Sequence, residues 1–384
     1  MVANRPAVLI NCTACTVGGG VQVAVGFVKY IASAPNITFR PVFALSSEVD
    51  RECGAELRHS FPVIVAEGRP GAIFSGLRTR RALSRFATGC SAKAVFTVFG
   101  PSYVDFDQPE ITGFADGFAF AEDRACHIRH PWWSRLLSPF LRAVKLRFLS
   151  RSVAFWVETE SARQSLSRVL GVPLSSVTVI PNALNLAILR EAKGVPPVSP
   201  PRFLLLAAGY WHKNHEIAAP MARALSDLLP GTDFRIDVTL PPKSPIWAKL
   251  QAQAELLGVA DKIHNFGPLS LADCARAIEE SLVVLHPSLL ETFSATYLEA
   301  MGLGRPLLVS DRPFAREICG DAAVYFDPLD PDDAARKAAE LIRDAALRQR
   351  LVSLGTTRLT AFPGPEQKNQ SLVELITCFL KNHA

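Results

Sequence analysis

The chain has 384 residues, 49% of them apolar and 20% charged, the balance of a globular protein with large buried sheets and length enough for two domains of about 150–200 residues each. It contains no run of 18 uncharged apolar residues, which excludes a membrane-spanning helix. The net charge of +5 is uneven: residues 1–183 carry 20 Lys and Arg against 13 Asp and Glu, and residues 184–384 carry 21 against 23. The first part is therefore the one expected to meet an anionic partner.

The N-terminal twenty residues hold one early Arg and a short apolar stretch that reads as a strand, Ala7–Asn11. They lack the separate apolar core and small-residue cleavage site of a secretion signal, so a cytoplasmic location is expected. A loop, Cys12–Gly19, leads to an apolar-periodic helix near Val21–Ala32, and a β-rich segment follows at Thr38–Leu45. Further apolar runs stand at Pro62–Val65, Ala94–Val98, Val153–Val157 and Val177–Ile180, with helical stretches between them. This alternation predicts a parallel, doubly wound sheet. A helix near Ser161–Leu170 is expected to stop at Gly171, with Pro173 just beyond.

The stretch Lys193–Arg202 carries four prolines and reads as a stiff linker or domain edge. A second alternating series then begins: strand Phe203–Ala208, helix Glu216–Leu228, strand Phe234–Thr239, helix Ile246–Leu257 and strand Ile263–Phe266. Helix Leu271–Glu280, strand Leu282–Leu285, helix Ser294–Gly302 and strand Pro306–Val309 continue it, and three helices near Pro331–Arg343, Ala345–Leu359 and Glu366–Lys381 close the chain. The expected division is an N-terminal Rossmann-like domain (1–183), a C-terminal Rossmann-like domain (184–365) and a last helix (366–384) packing back on the first. In such sheets ligands bind beyond the carboxyl ends of the strands, where helix N-termini present N–H groups.

Three segments fall at such positions. Gly18, Gly19 and Gly20 open a helix after the first strand, where glycine lets a phosphate approach the backbone; the alternative is a tight strand-to-helix turn. Lys213 follows the first strand of the second series, where an ammonium can neutralise a diphosphate. Next to it, Asn214 reads as a helix N-cap, and His212 and His215 read as surface or capping histidines without metal-ligand companions. Glu291 lies beyond the strand Leu282–Leu285, followed by Thr292, Phe293 and Ser294 and then a helix bearing Glu299. Exposed N–H groups near Phe293–Ala295 form an expected anion nest flanked by two carboxylates suited to sugar hydroxyls; the alternative is a pair of solvated surface charges.

Glu291-x7-Glu299, Ala300-Met301 and the turn Gly302-x-Gly304-x-Pro306 resemble the retaining glycosyltransferases of family 4, which have the GT-B fold. Gly18–Gly20, Val179-Ile180-Pro181-Asn182, Lys213-Asn214-His215 and Pro328-x-Asp330 fit the same resemblance, which spans nearly the whole chain. It implies two doubly wound Rossmann-like domains facing across a cleft, the first (1–183) binding the acceptor and the second (184–365) the donor. It also implies a nucleotide-diphosphate sugar as co-substrate, no further cofactor and no bound metal. Glu291 would bind donor-sugar hydroxyls near the reacting carbon and Glu299 the ribose. Lys213, with the backbone of Phe293, Ser294 and the glycine loop, would bind the diphosphate, with Thr292 beside them. The chain departs from the pattern in three places. No Arg precedes Lys213, where Gly209-Tyr210-Trp211 stands. Thr292-Phe293-Ser294 replaces Gly-Phe-Gly, and a first-domain His has only Asp116 in a comparable region.

The reaction so implied is transfer of a hexose-type sugar to a glycan or glycolipid acceptor in cell-surface polysaccharide synthesis. Alternatives are a nucleotide-sugar epimerase or hydrolase of the same fold, or a non-catalytic two-domain sugar-binding protein. Between Asp123 and Glu158 there are seven bases and no acid, with Trp132, Trp133, Phe140 and Phe148 among the apolar residues. Residues 130–152 therefore suit an interfacial helix on anionic lipid or a core helix with a solvated basic face; nucleic acid is not expected. Asp105-Phe-Asp107 is a D-x-D match in a loop after a strand end. The eight cysteines (12, 15, 53, 90, 126, 274, 319, 378) read as reduced thiols, with Cys12 and Cys15 alone at C-x-x-C spacing.

Overall fold

The computed structural model describes residues 5–34, 36–72, 76–117 and 132–382, and the side chains of all of these but 132–138. The chain forms two compact units, one built from residues up to 117, 132–182 and 364–382, the other from 183–363. His130, Pro131 and Cys126, and the side chains of Trp132 and Trp133, lie outside the described residues.

Among the described residues the first unit holds seven strands: β1 (Ala7–Cys12), β2 (Arg40–Leu45), β3 (Val63–Val65), β4 (Ala92–Thr97), β5 (Glu110–Gly113), β6 (Ala154–Val157) and β7 (Val177–Val179). Their order is β3-β2-β1-β4-β5-β6-β7, every neighbouring pair parallel. All six residues of β1 are buried, as expected of a central strand covered by helices on both faces. The helix Glu160–Leu170 ends as its sequence predicts. Thr159 caps it by accepting from the Ala162 N–H, and Gly171 turns left-handed at φ 67°.

The second unit repeats the plan with β8 (Arg202–Leu205), β9 (Arg235–Val238), β10 (Ile263–Asn265), β11 (Val283–His286), β12 (Leu307–Ser310) and β13 (Ala323–Phe326). The order β10-β9-β8-β11-β12-β13 is again all parallel. It reverses between β8 and β11, which makes the carboxyl ends of those two strands the expected ligand position. β5, β13 and the helix Pro313–Cys319 are additions to the sequence reading. The proline-rich stretch belongs to the second unit and runs over its surface, tied down by main-chain bonds. The Lys193 and Gly194 N–H groups donate to the Glu279 carboxylate at 3.0 and 2.6 Å, and the Val198 N–H donates to the Glu280 carbonyl.

The last helix, Pro365–Asn382, belongs to the first unit and buries Leu372, Ile376 and Phe379 in the core beside β1 and β4. Its Lys368 is also buried. The ammonium donates to Asn182 Oδ1 at 2.7 Å and lies 3.5 Å from Glu158 Oε1, at the carboxyl end of β6. Burial pushes the Glu158 carboxyl up and the Lys368 ammonium down, so each charge relies on the other. Cys12, Cys15 and Cys319 are buried free thiols, and burial pushes Cys15 up to about 12, which leaves it unreactive. No helix among the described residues is long and apolar enough to cross a membrane.

Lys368→Ala should cost about 3–5 kcal/mol in urea denaturation, because it strands a buried carboxylate. Adding Glu158→Gln should recover a large part of that loss.

Candidate functional site

The two loops at the β8–β11 reversal are stitched to each other by main-chain and side-chain bonds. After β8, one 3-10 turn covers Trp211–Lys213 and a second covers His215–Ile217, with Asn214 between them in the left-handed region (φ 57°, ψ 37°). Asn is among the few residues besides glycine that adopt this conformation readily. The buried Asn214 amide donates to the carbonyls of Pro287 at 3.1 Å and Pro328 at 2.8 Å, in the loops after β11 and β13. The Leu289 N–H donates to the His212 carbonyl at 2.7 Å. Asn214 is thus a loop pin, and the expected N-cap role does not hold. The α-helix starts only at Ala218, and the Asn214 side chain caps none of its N–H groups. His215 is likewise buried rather than at the surface. Its Nε2 is 3.3 Å from the Ala207 carbonyl, and burial pushes its pKa down to about 4, so the ring is neutral.

These ties place Lys213 against Glu291, 78 residues away. Lys213 Nζ stands 2.5 Å from Glu291 Oε1, with both side chains largely enclosed. His286, the last residue of β11, lies fully buried with Nε2 3.3 Å from the same oxygen, and Ser288 Oγ is 3.1 Å from that nitrogen. Burial alone would raise the Glu291 carboxyl. The adjacent ammonium and the His286 hydrogen bond outweigh it and hold the group far below the ordinary carboxylate range. Burial and Lys213 push His286 down, against the pull of Glu291.

Thr292, Phe293 and Ser294, which follow Glu291, are buried. Ser294 occupies the N-cap position of the helix Ala295–Gly302 with extended backbone, yet its side chain caps no N–H, and the first turn carries no acid. Glu299 lies on this helix, half-buried. Burial pushes its carboxyl up to about 7, and no ion pair engages it among the described residues. Glu299 is therefore close to Glu291 in sequence but stands outside the Lys213 cluster.

In the first unit, Gly18, Gly19 and Gly20 form the first turn of the helix Gly18–Ser33, after an uncapped Val17. Gly18 needs its glycine because φ is +59°, whereas a Cβ at Gly19 would meet nothing within 4 Å. Asp116 is ion-paired with Lys145 of the helix Trp132–Leu149, and Asp105 with Arg151. Asp116 therefore already has a cation to satisfy within its own unit. No cluster of three His, Cys, Asp or Glu suited to a metal occurs among the described residues.

Sequence reasoning did not single out His286, Ser288 or the pinning role of Asn214. The one local signal was a histidine ending an otherwise apolar strand, Val283–Leu285, directly before a proline.

Comparison with known proteins agrees with this architecture. Residues 243–358 match the family model described as "Glycosyl transferases group 1". The O-antigen chain mannosyltransferase RfbU of Salmonella typhimurium is 23% identical over 216 residues, 54% of this chain and 58% of that protein. The D-inositol 3-phosphate glycosyltransferase of Paenarthrobacter aurescens is 23% identical over 225 residues, 56% of this chain and 55% of that one. The chain thus spans 55–58% of the length of these curated relatives. Among solved structures, Anabaena Alr3699/HepE in complex with UDP and glucose superposes with a TM-score of 0.71 at 14% identity, covering 96% of this chain and 99% of that one. WaaG, a glycosyltransferase involved in lipopolysaccharide biosynthesis, gives the same score, identity and coverage. The fold is GT-B, two Rossmann-like parallel-sheet α/β domains, and the family match within the second supports a glycosyltransferase.

Lys213→Met should destabilise the protein by about 3 kcal/mol at pH 7, since it leaves the Glu291 carboxylate buried without its cation. A carboxyl held low by a partner contributes stability above its unfolded pKa of about 4.3, and that contribution is lost as pH falls. The gap between wild type and variant should therefore narrow below about pH 5 in urea titrations. Glu299→Gln should act in the opposite pH range. A carboxyl raised to about 7 costs stability as pH rises from about 4.3 to 7. The variant should exceed wild type in stability by up to about 3 kcal/mol at pH 8 and by little at pH 4.

Proposed function

We propose that the protein is a retaining, metal-independent glycosyltransferase of family 4. It moves a hexose-type sugar from a nucleotide-diphosphate sugar to a glycan or glycolipid acceptor in cell-surface polysaccharide synthesis. The observation that carries this reading is the Lys213–Glu291 pair at the β8–β11 reversal, inside a unit that matches glycosyl transferases group 1. The pair joins an anion-binding ammonium to a hydroxyl-binding carboxylate at one point, which is the chemistry that a sugar diphosphate requires.

In the reaction, the bond from the anomeric carbon to the diphosphate oxygen breaks and a bond to the acceptor oxygen forms on the same face. The departing diphosphate takes the acceptor's proton. Lys213 neutralises the charge that grows on the leaving oxygen, so it stabilises the transition state more than the ground state. Glu291 accepts hydrogen bonds from the donor sugar and Glu299 from the ribose. The backbone of Thr292, Phe293 and Ser294 at the uncapped helix start, and that of Gly18–Gly20, bind phosphate oxygens. HepE was solved with UDP-glucose, which makes a UDP-sugar the first donor to test.

An association with the inner, anionic membrane face belongs to the same reading. On the helix Trp132–Leu149, Phe140 and Leu141 are 62% and 52% exposed beside exposed Arg142 and Arg147. The neighbouring helix Gly76–Gly89 adds exposed Arg78, Arg81 and Arg85, and Arg80 stacks over Phe148. Lys145 is paired with Asp116, and the exposed Arg78, Arg81, Arg85 and Arg147 supply lipid-facing charge.

A thermal-shift series with UDP-, GDP- and dTDP-sugars tests the donor; a ligand at 100 times its Kd adds about 2.7 kcal/mol of stability. Glu299→Ala should weaken nucleotide binding about tenfold, equivalent to about 1.4 kcal/mol, and Glu291→Ala should mainly reduce turnover. Unchanged nucleotide affinity in the Lys213→Ala, Glu299→Ala double variant rules the assignment out. Co-sedimentation with phosphatidylglycerol vesicles should fall when Arg142 and Arg147 are changed to Glu, and no change removes the membrane role.

A further inference from the structure

We infer that His286 is a positioning residue for Glu291, holding the carboxylate in place when Lys213 turns to the donor diphosphate. The inference rests on the proposed reading of the site. Two donors address one acceptor: Lys213 Nζ at 2.5 Å and His286 Nε2 at 3.3 Å both approach Glu291 Oε1. A diphosphate carries more negative charge than a single carboxylate and competes for the ammonium. Once Lys213 moves, Glu291 becomes a buried anion without its cation, a state that persists only where another donor remains.

His286 is built to be that donor. Its backbone is fixed in β11, paired with Val309 of β12, and its ring meets Tyr297 edge-on at 4.8 Å. A neutral imidazole has one N–H. Nδ1 is buried and without a hydrogen-bond partner, whereas Nε2 faces the Glu291 carboxylate and the Ser288 hydroxyl. The tautomer protonated at Nε2 is the one that leaves no buried N–H without an acceptor, and it points its proton at Glu291. The charged or titratable groups around the ring are Lys213, Glu291, His212, His215 and Tyr297. Burial and Lys213 both keep the imidazole neutral, so it serves as a hydrogen-bond donor and not as a counter-ion.

The fixed point of the site is therefore His286 and the movable one is Lys213. Apolar replacement of His286 should leave donor binding intact, because the diphosphate is held by Lys213, but should let Glu291 drift from the reacting carbon. The test compares wild type with His286→Phe and His286→Gln, the latter restoring an N–H donor near the position of Nε2. UDP-glucose, GDP-mannose and dTDP-glucose serve as probes, with calorimetric Kd, KM and kcat as readouts. The Phe variant should bind the donor within about threefold of wild type and lose at least tenfold in kcat, and the Gln variant should recover most of that loss. Unchanged kcat in the Phe variant, or equal loss in both, overturns the role. If the Phe variant fails to fold, 15N NMR of the histidines in the wild-type protein decides. His286 should carry its proton on Nε2 with and without donor, and an Nδ1 proton overturns the role. Should none of the three nucleotide sugars bind the wild type, the reading of the site falls, and the role of His286 falls with it.

Discussion

A carboxylate and an ammonium held 2.5 Å apart in an enclosed place impose a strict condition on everything around them. Either charge alone would be destabilising there, and a displacement of an ångström or two would forfeit much of the attraction that offsets their desolvation. Lys213 and Glu291 come from different loops, so the condition falls on the sheet. β8 and β11 are hydrogen-bonded neighbours, Phe203 opposite Val283, and both loops leave from the same edge. Asn214 then fixes the remaining freedom by reaching the loops after β11 and β13, and the Leu289 N–H ties the Glu291 loop back to His212. The apolar sheet thus provides direction and the polar pins provide distance.

The unliganded cluster is close to electrically closed, and this shapes what can open it. The carboxylate is satisfied by Lys213 and His286, so a neutral ligand gains little by displacing either. A dianion gains by taking the ammonium, and the cluster therefore favours ligands that bring their own negative charge. Glu299 behaves differently. Burial raises its carboxyl to about 7, so it is divided between protonated and ionised forms near neutrality. It can both donate to and accept from a hydroxyl partner. Two glutamates eight residues apart thus have opposite electrostatics, one locked ionised by a partner and one poised by burial.

Much of the fold was legible because its signals are local. Buried parallel strands such as β1 and β11 are continuous apolar runs, and helix ends at Thr159, Gly171 and Asp330 carry their own capping chemistry. β5 escaped notice because it has four residues, begins with Glu110 and ends with Gly113. Both are tertiary choices. The Glu110 carboxyl is bonded by Thr97 and Ser102, and a Cβ at Gly113 would strike the Val98 carbonyl at 1.9 Å. The same limit applied around the site. Asn214 reads locally as a cap, and its true partners lie 73 and 114 residues away. His215 reads as polar surface and is buried under its own loop. Asp116 stands in sequence only in the region of the family's first-domain His, and folding brings Lys145, 29 residues on, to it. Spacing along the chain could bring forward Glu291 and Lys213 as candidates, but not the contact between them.

A buried ammonium–carboxylate pair occurs twice among the described residues, and comparison separates a structural pair from one able to change partners. Lys368 and Glu158 in the first unit keep only 5% and 6% of their side-chain surface exposed. Lys368 has a second, neutral acceptor in Asn182 and lies over the Trp156 ring, on a helix packed along the core. Nothing outside the unit is needed to satisfy it, and moving it would mean moving the helix. Lys213 keeps 16% exposed and sits on a single 3-10 turn, its backbone held by Asn214 and His212 while its side chain meets one carboxylate. Its stem can swing without disturbing the pins, because they hold main chain and not the ammonium. Meanwhile Glu291 retains a donor in His286, so the carboxylate is not abandoned when the ammonium leaves. A pair with a mobile cation, a fixed anion and a reserve donor is arranged for exchange, whereas a pair closed on both sides is arranged for stability.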